Sequence, residues 1–134
     1  MFSHFSPASW RIVRVAEQES RNHNDYFIGA EHLLVALLEE RDPAVVTALR
    51  SAGLDLHEVY AEVRRSLGAG DERLWEGILV TPRVRKIVTL AEQGAEGRDV
   101  EPLDLFEALR AEGGSRAAAI LRRLGARNIA GAAE

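Results

Sequence analysis

The sequence predicts an all-α protein, a pseudo-twofold bundle of about seven helices, and three observations carry that prediction. Apolar residues recur at helical spacing over most of the 134 residues. Three starts, Ser6-Pro7, Asp42-Pro43 and Thr81-Pro82, put a capping side chain directly before a proline, the order that opens a helix. The chain also repeats itself, the mark of two like units packed together. At an offset of about 75, Ile12, Val13, Ala16, Glu17 and Gln18 fall on Ile87, Val88, Ala91, Glu92 and Gln93. Downstream the offset is about 72, placing Leu33, Leu34 and Leu37 on Leu105, Phe106 and Leu109, and Gly53 on Gly125.

Taken in order, the first helix opens at Ser6-Pro7, buries Ile12, Val13, Val15 and Ala16, and runs to about Asn22. The second spans about Ala30 to Glu40, where Leu33, Leu34, Leu37 and Leu38 form a face wide enough for the middle of a bundle. Asp42-Pro43 opens the third, and Gly53 is its stop. Asp55 with Glu58 three residues on has the form of a capping box, so a fourth helix runs to about Leu67. Residues 68–80 break the pattern with two glycines and an isolated Trp75 and read as a linker. Thr81-Pro82 begins a fifth helix that fades near Gly94 and Gly97, a sixth follows Pro102, and a seventh spans Ser115 to Leu124. Gly125 then ends the helix, leaving 126–134 as a fraying tail. The expected organisation is one domain: repeat one over 1–67, the linker, repeat two over 81–125, and the tail.

Composition removes several function classes. There are no cysteines, which excludes disulfides, thiolate metal sites and a cysteine nucleophile. A net charge of -4 gives no general attraction to nucleic acid or to an anionic membrane. No apolar run approaches the ~20 residues of a membrane span, and the first residues lack the pattern of a secretory signal, so a cytoplasmic protein is expected. The histidines show no ligand spacing and no GxxxxGK[ST] loop occurs, so no metal, nucleotide or other cofactor is expected. No nucleophile, base and orienting group assemble from the spacings, and the chain reads as a non-enzyme and a monomer.

Glu31-His32 is the most site-like pair. An acid in a first helical turn complements the helix dipole for ~0.3–1 kcal/mol, which is one complete account of Glu31. His32, one residue further into a buried helix, reads as a packed side chain that donates a hydrogen bond.

Phe5-Ser6, IGAEHLLVALLEE, the glycine after the third helix and the VTPR restart together resemble the Clp N-terminal domain of ClpC- and ClpA-type unfoldases, over nearly the whole chain. The resemblance implies two Clp repeats and a module that recognises peptides, substrates or adaptor proteins, some of them arginine-phosphorylated, for a Clp ATPase supplied in trans or by a longer chain. It also implies roles for particular residues. The guanidinium of phosphoarginine needs a carboxylate, and its phosphate needs the N–H groups and hydroxyls of helix starts. By similarity Glu31 and Ser6 take these parts in repeat one. In repeat two Thr81, Arg85 and Lys86 can meet a phosphate, but Leu103 stands where the carboxylate belongs, so that site is degenerate. Ala30 departs from the family's threonine. Phe2 and Phe5 fall in a segment that relatives use to contact peptides, although Phe5 also suits a hydrophobic staple onto the first helix. Trp75 is either a contact point or a pin holding the linker. The alternative implied function is a regulatory interaction domain that has lost ligand binding.

Overall fold

The computed structural model describes residues 2, 4–22, 27–67 and 80–133, with side chains as far as Asn128. Seven helices account for nearly all of them: α1 (Pro7–Asn22), α2 (Ala30–Glu40), α3 (Pro43–Ser51), α4 (Leu56–Ser66), α5 (Pro82–Ala95), α6 (Pro102–Glu112) and α7 (Arg116–Ala133). None is long and apolar enough to cross a membrane. Trp75 lies outside the described residues, as do positions 68–79 of the predicted linker.

The starts behave as their residues dictate. Asp42 Oδ2 accepts from the N–H groups of Ala44 and Val45 at 3.1 and 3.3 Å, and Pro43 follows where no N–H is needed. Asp55 Oδ2 accepts from Glu58 N–H at 3.0 Å, but Glu58 does not complete the box; its carboxylate pairs instead with Arg127 at 2.8 Å. Gly53, at φ 74, ends α3 in the left-handed region that only glycine enters without cost.

Helix α2 lies at the centre. Leu34, Val35, Ala36, Leu37 and Leu38 are wholly buried, so apolar residues face every neighbour rather than one stripe. Burying each leucine contributes about 1.5–3 kcal/mol. Helices α1, α3, α4, α6 and α7 all contact it. In the second repeat α6 takes the same place, with Leu105, Phe106 and Leu109 wholly buried.

The repeats differ after their third helix. Gly125, expected to stop α7, sits inside it, and α7 continues to Ala133 instead of fraying after Leu124. The reason is close approach: a β-carbon on Gly125 would stand 3.2 Å from the Ala52 carbonyl oxygen, so the missing side chain lets α7 press against the turn between α3 and α4. On both sides of it α7 runs antiparallel along α4. Arg116 donates to the Ser66 carbonyl at 3.1 Å, Arg123 pairs with Glu62 at 2.9 Å, and Asn128 donates to the Gly53 carbonyl at 2.9 Å.

No described helix covers α6 as α4 covers α2. Val35 and Leu38 are buried, whereas Glu107 and Arg110 at the matching positions are exposed beside a groove of about 510 Å³ between α6, α7 and the α3–α4 turn. The polar replacements fit that face to water.

Candidate functional site

Two isolated parallel bridges organise the helix starts, and both cross between the repeats. Phe5, before α1, pairs with Val100, before α6; Val80, before α5, pairs with Ile28, before α2. Ser6 N–H donates to the Val100 carbonyl at 3.0 Å, and Thr81 N–H to the Ile28 carbonyl at 3.1 Å. Since Thr81 repeats Ser6 and Val100 repeats Ile28, these are two copies of one contact.

The caps repeat as well. Ser6 Oγ accepts from Ser9 N–H at 3.1 Å, and Thr81 Oγ1 accepts from Val84 N–H at 3.2 Å. Gly29 N–H donates to His32 Nδ1 at 2.9 Å, and Glu101 N–H to Asp104 Oδ2 at 2.8 Å. His32 is packed as the sequence reading expects, and its Nδ1 accepts, which makes it the back-bonding member of a capping box. The missing side chain of Gly29 leaves room for both neighbours: a β-carbon there would lie 3.3 Å from Glu31 Oε2 and 3.5 Å from His32 Nδ1.

The proposed ligand-binding residues divide by how far each is already engaged. Ser6 is 4% exposed, and its hydroxyl both caps α1 and contacts Ser9 Oγ at 3.2 Å; Ser9 in turn donates to the Val100 carbonyl at 2.6 Å. That hydroxyl network binds the repeats together. Thr81 and Glu31 are half-buried, and Arg85 and Lys86 are exposed. Glu31 and Leu103 both occupy the second position of their helices, after Ala30 and Pro102. Leu103 rests partly against the core. The direct backbone links run from Thr81 to the start of α2, which carries Glu31, and from Ser6 to the start of α6, which carries Leu103. The sequence reading grouped each pair within its own repeat.

Asp104 is the one acid near the second start with a strong partner. Arg98 grips it with two bonds of 2.7 and 2.8 Å, holding its carboxyl below the usual range against the opposing effect of burial. Its position beside Leu103 does not restore a free carboxylate.

Phe5 is 6% exposed and meets Trp10 at 6.4 Å between ring centroids, the N′ to N4 staple. Its ring belongs to the core and cannot serve as a peptide contact without opening it. Phe2, half-buried, packs edge-on against both rings at 5.1 and 5.5 Å.

Sequence reasoning also missed a polar cluster in repeat one. Glu19 of α1 is 6% exposed, and Arg64 of α4 reaches it with NH1 at 3.0 Å and NH2 at 3.4 Å. Arg64 Nε donates to Tyr60 Oη at 3.0 Å, and Tyr60 donates to Glu39 Oε1 at 2.8 Å. Burial pushes the Glu39 carboxyl up, Tyr60 draws it down, and neighbouring Glu19 pushes it up again, for a net rise. Glu17-to-Asn22 and Tyr60-to-Ser66 look like ordinary solvated helix faces in sequence, so only the packing shows the cluster.

Residues 4–122 match the family model of the Clp repeat (R) N-terminal domain. The chain is 29% identical over 129 residues to the chloroplastic chaperone ClpC of Pisum sativum, covering 94% of this chain and 14% of that protein. It is 30% identical over 95 residues to the chaperone ClpB of Oceanobacillus iheyensis, covering 71% of this chain and 12% of that one. The chain thus spans about one-seventh of the length of such relatives. Its fold is similar to the N-terminal domain of ClpD from Arabidopsis thaliana, with a TM-score of 0.69 at 14% identity, covering 100% of this chain and 97% of that structure.

Proposed function

Because the chain belongs to the Clp N-terminal domain family, we propose that it is a recognition module that presents substrates or adaptor proteins to a Clp ATPase. The reading rests on the matched helix starts: caps and backbone links hold them in one fixed geometry, and such starts accept anionic groups. Glu31 supplies the carboxylate that a guanidinium requires, beside the Thr81 link and near a half-buried hydroxyl. A phosphoarginine side chain carries both charges, and it is the ligand chemistry this combination suits. At the other start Leu103 cannot neutralise a cation, and Ser6 is already engaged. One ligand per chain is therefore expected, and the module acts as a monomer in the cytoplasm.

Calorimetry with free phosphoarginine tests this reading. The expected result is a single site or weaker, lost in Glu31→Ala, with a second site gained in Leu103→Glu. Removing one member of a charge-assisted pair costs ~2–5 kcal/mol, enough to take micromolar binding below detection. Two equivalent sites in the unaltered chain, or unchanged affinity in Glu31→Ala, would refute it.

The engaged hydroxyl of Ser6 and the leucine at 103 favour a second reading, a regulatory interaction domain without a small ligand. Absence of any phosphoarginine binding, with retained binding to a Clp ATPase or its adaptor, would select it.

A further inference from the structure

At the opposite end of α2 from Glu31, about 15 Å along the helix, three basic side chains gather around a second cavity. Arg41, Arg50 and His57 line about 230 Å³ between the end of α2, α3 and the first turn of α4, over an apolar floor that includes Val46 and Leu54. None of the three has a hydrogen-bond or ion-pair partner among the described residues. Of the nearby acids, Asp42 caps α3, Glu58 pairs with Arg127, and Asp55, within the lining itself, caps α4 through Glu58 N–H. Asp55 is the only acid in the lining, so the cavity carries a net positive charge in a chain of net charge -4.

The fold itself does not call for this cluster. Arg41 holds φ 50 and ψ 43, a left-handed conformation unfavourable for a side chain with a β-carbon. The second repeat places Gly113 there, at φ 72, and closes α6 without an arginine. Glu96 adopts the same conformation at the end of α5, so the geometry is tolerated, but at Arg41 it falls on a residue that lines the cavity. Only Arg50 recurs in repeat two, as Arg122, and there it is turned onto the Gly113 carbonyl at 2.8 Å.

We infer that the α2–α3–α4 junction of repeat one is an anion site for a phosphate monoester group, held between the Arg41 and Arg50 guanidiniums and His57 and completed by the first free N–H groups of α4. Asp55 Oδ2 takes the Glu58 N–H and leaves those of Leu56 and His57 without an acceptor among the described residues. Guanidinium forks match the spacing of phosphate oxygens, and backbone N–H groups at a helix start add directed donors. The site is independent of Glu31, so it stands or falls apart from the proposed function.

Amide-resolved NMR titration with inorganic phosphate, at constant ionic strength set with chloride, tests it; parallel titrations with O-phosphoserine and a phosphoserine peptide separate a free phosphate from a protein-borne one. Saturable shifts at Leu56 and His57 are expected, absent in the chloride control, with affinity falling about tenfold in Arg50→Ala. Arg41→Gly is the decisive variant. It should raise Tm, because glycine accepts the left-handed backbone, while weakening phosphate binding. A rise in Tm with unchanged phosphate affinity would overturn the inference, as would shifts of equal size at the starts of α3, α5 and α6. Tighter binding of the phosphopeptide than of phosphate would identify a protein ligand, and equal binding a free metabolite.

Discussion

Replacing Arg64 with alanine should destabilise the domain by about 2 kcal/mol. The guanidinium bonds buried Glu19 through contacts of 3.0 and 3.4 Å, and it also anchors Tyr60 at 3.0 Å. Breaking a fully buried pair by removing one partner costs ~3–5 kcal/mol, whereas an exposed pair contributes ~0–1. Here the side chain of Glu19 is 7% exposed and that of Arg64 is 38% exposed, so water screens one partner only and the cost falls between those limits. Removing Arg64 also takes away a cation that contacts both Glu19 and Glu39. Urea unfolding followed by circular dichroism would read the loss as a lower midpoint at unchanged slope. The Glu19→Gln variant completes a double-mutant cycle, and a coupling of at least about 1 kcal/mol is expected for groups in direct contact. A loss below about 0.5 kcal/mol, or additive behaviour in the cycle, would show that the fork is a solvated pair with little part in holding α4 to α1.

Four further outcomes follow from the geometry. Glu39→Gln should raise Tm slightly at neutral pH, since the raised carboxyl pKa means that the folded state binds protons more tightly than the unfolded one; stability contributed by that proton is lost as pH rises above 4.5, and the advantage of the amide should vanish in acid melts below that value. Asp104 has the opposite sign: its lowered pKa stabilises the fold above 3.8 and the contribution is lost as pH falls below that, so Asp104→Ala should cost about 1–2 kcal/mol near neutrality and flatten the acid limb of the stability curve. His32→Ala, which removes the acceptor of Gly29 N–H, should cost about 1 kcal/mol by chemical denaturation, plus whatever its buried ring contributes. Gly94 has open space around it and Gly125 does not, so Gly94→Ala should stabilise by about 0.5–1 kcal/mol while Gly125→Val lowers Tm by pushing α7 off the Ala52 carbonyl.

Much of the architecture is legible in the chain because its cues are local. Proline after a capping residue marks α1, α3 and α5, and the 72-residue offset matches Glu31 to Leu103 at the same helical position. Glycine is the ambiguous letter. Gly53 and Gly125 occupy equivalent places, yet one ends a helix by its left-handed φ and the other allows a helix to pass close to a carbonyl; only the neighbour across the fold decides which. His32 escaped notice as a cap because capping boxes are usually sought through Glu or Gln, though an unprotonated imidazole nitrogen accepts equally well. The direct links between helix starts join residues as far apart as Ser9 and Val100, 91 positions in sequence. No local pattern announces such a pairing.

Those links have a consequence for what a single repeat could be. Phe5 meets Val100 while Val80, its counterpart, meets Ile28, so each half presents the same surface to the other, as subunits of an isologous dimer do. A chain holding one repeat would leave the N–H after its Phe5 or Val80 position without the carbonyl it bonds here, and a second copy could supply it through the same contact twice. The present protein makes both contacts within one covalent chain. Within one chain the two halves need not be identical, and they are not: one helix start carries Glu31 where its twin carries Leu103, a difference that two copies of a single repeat could not show.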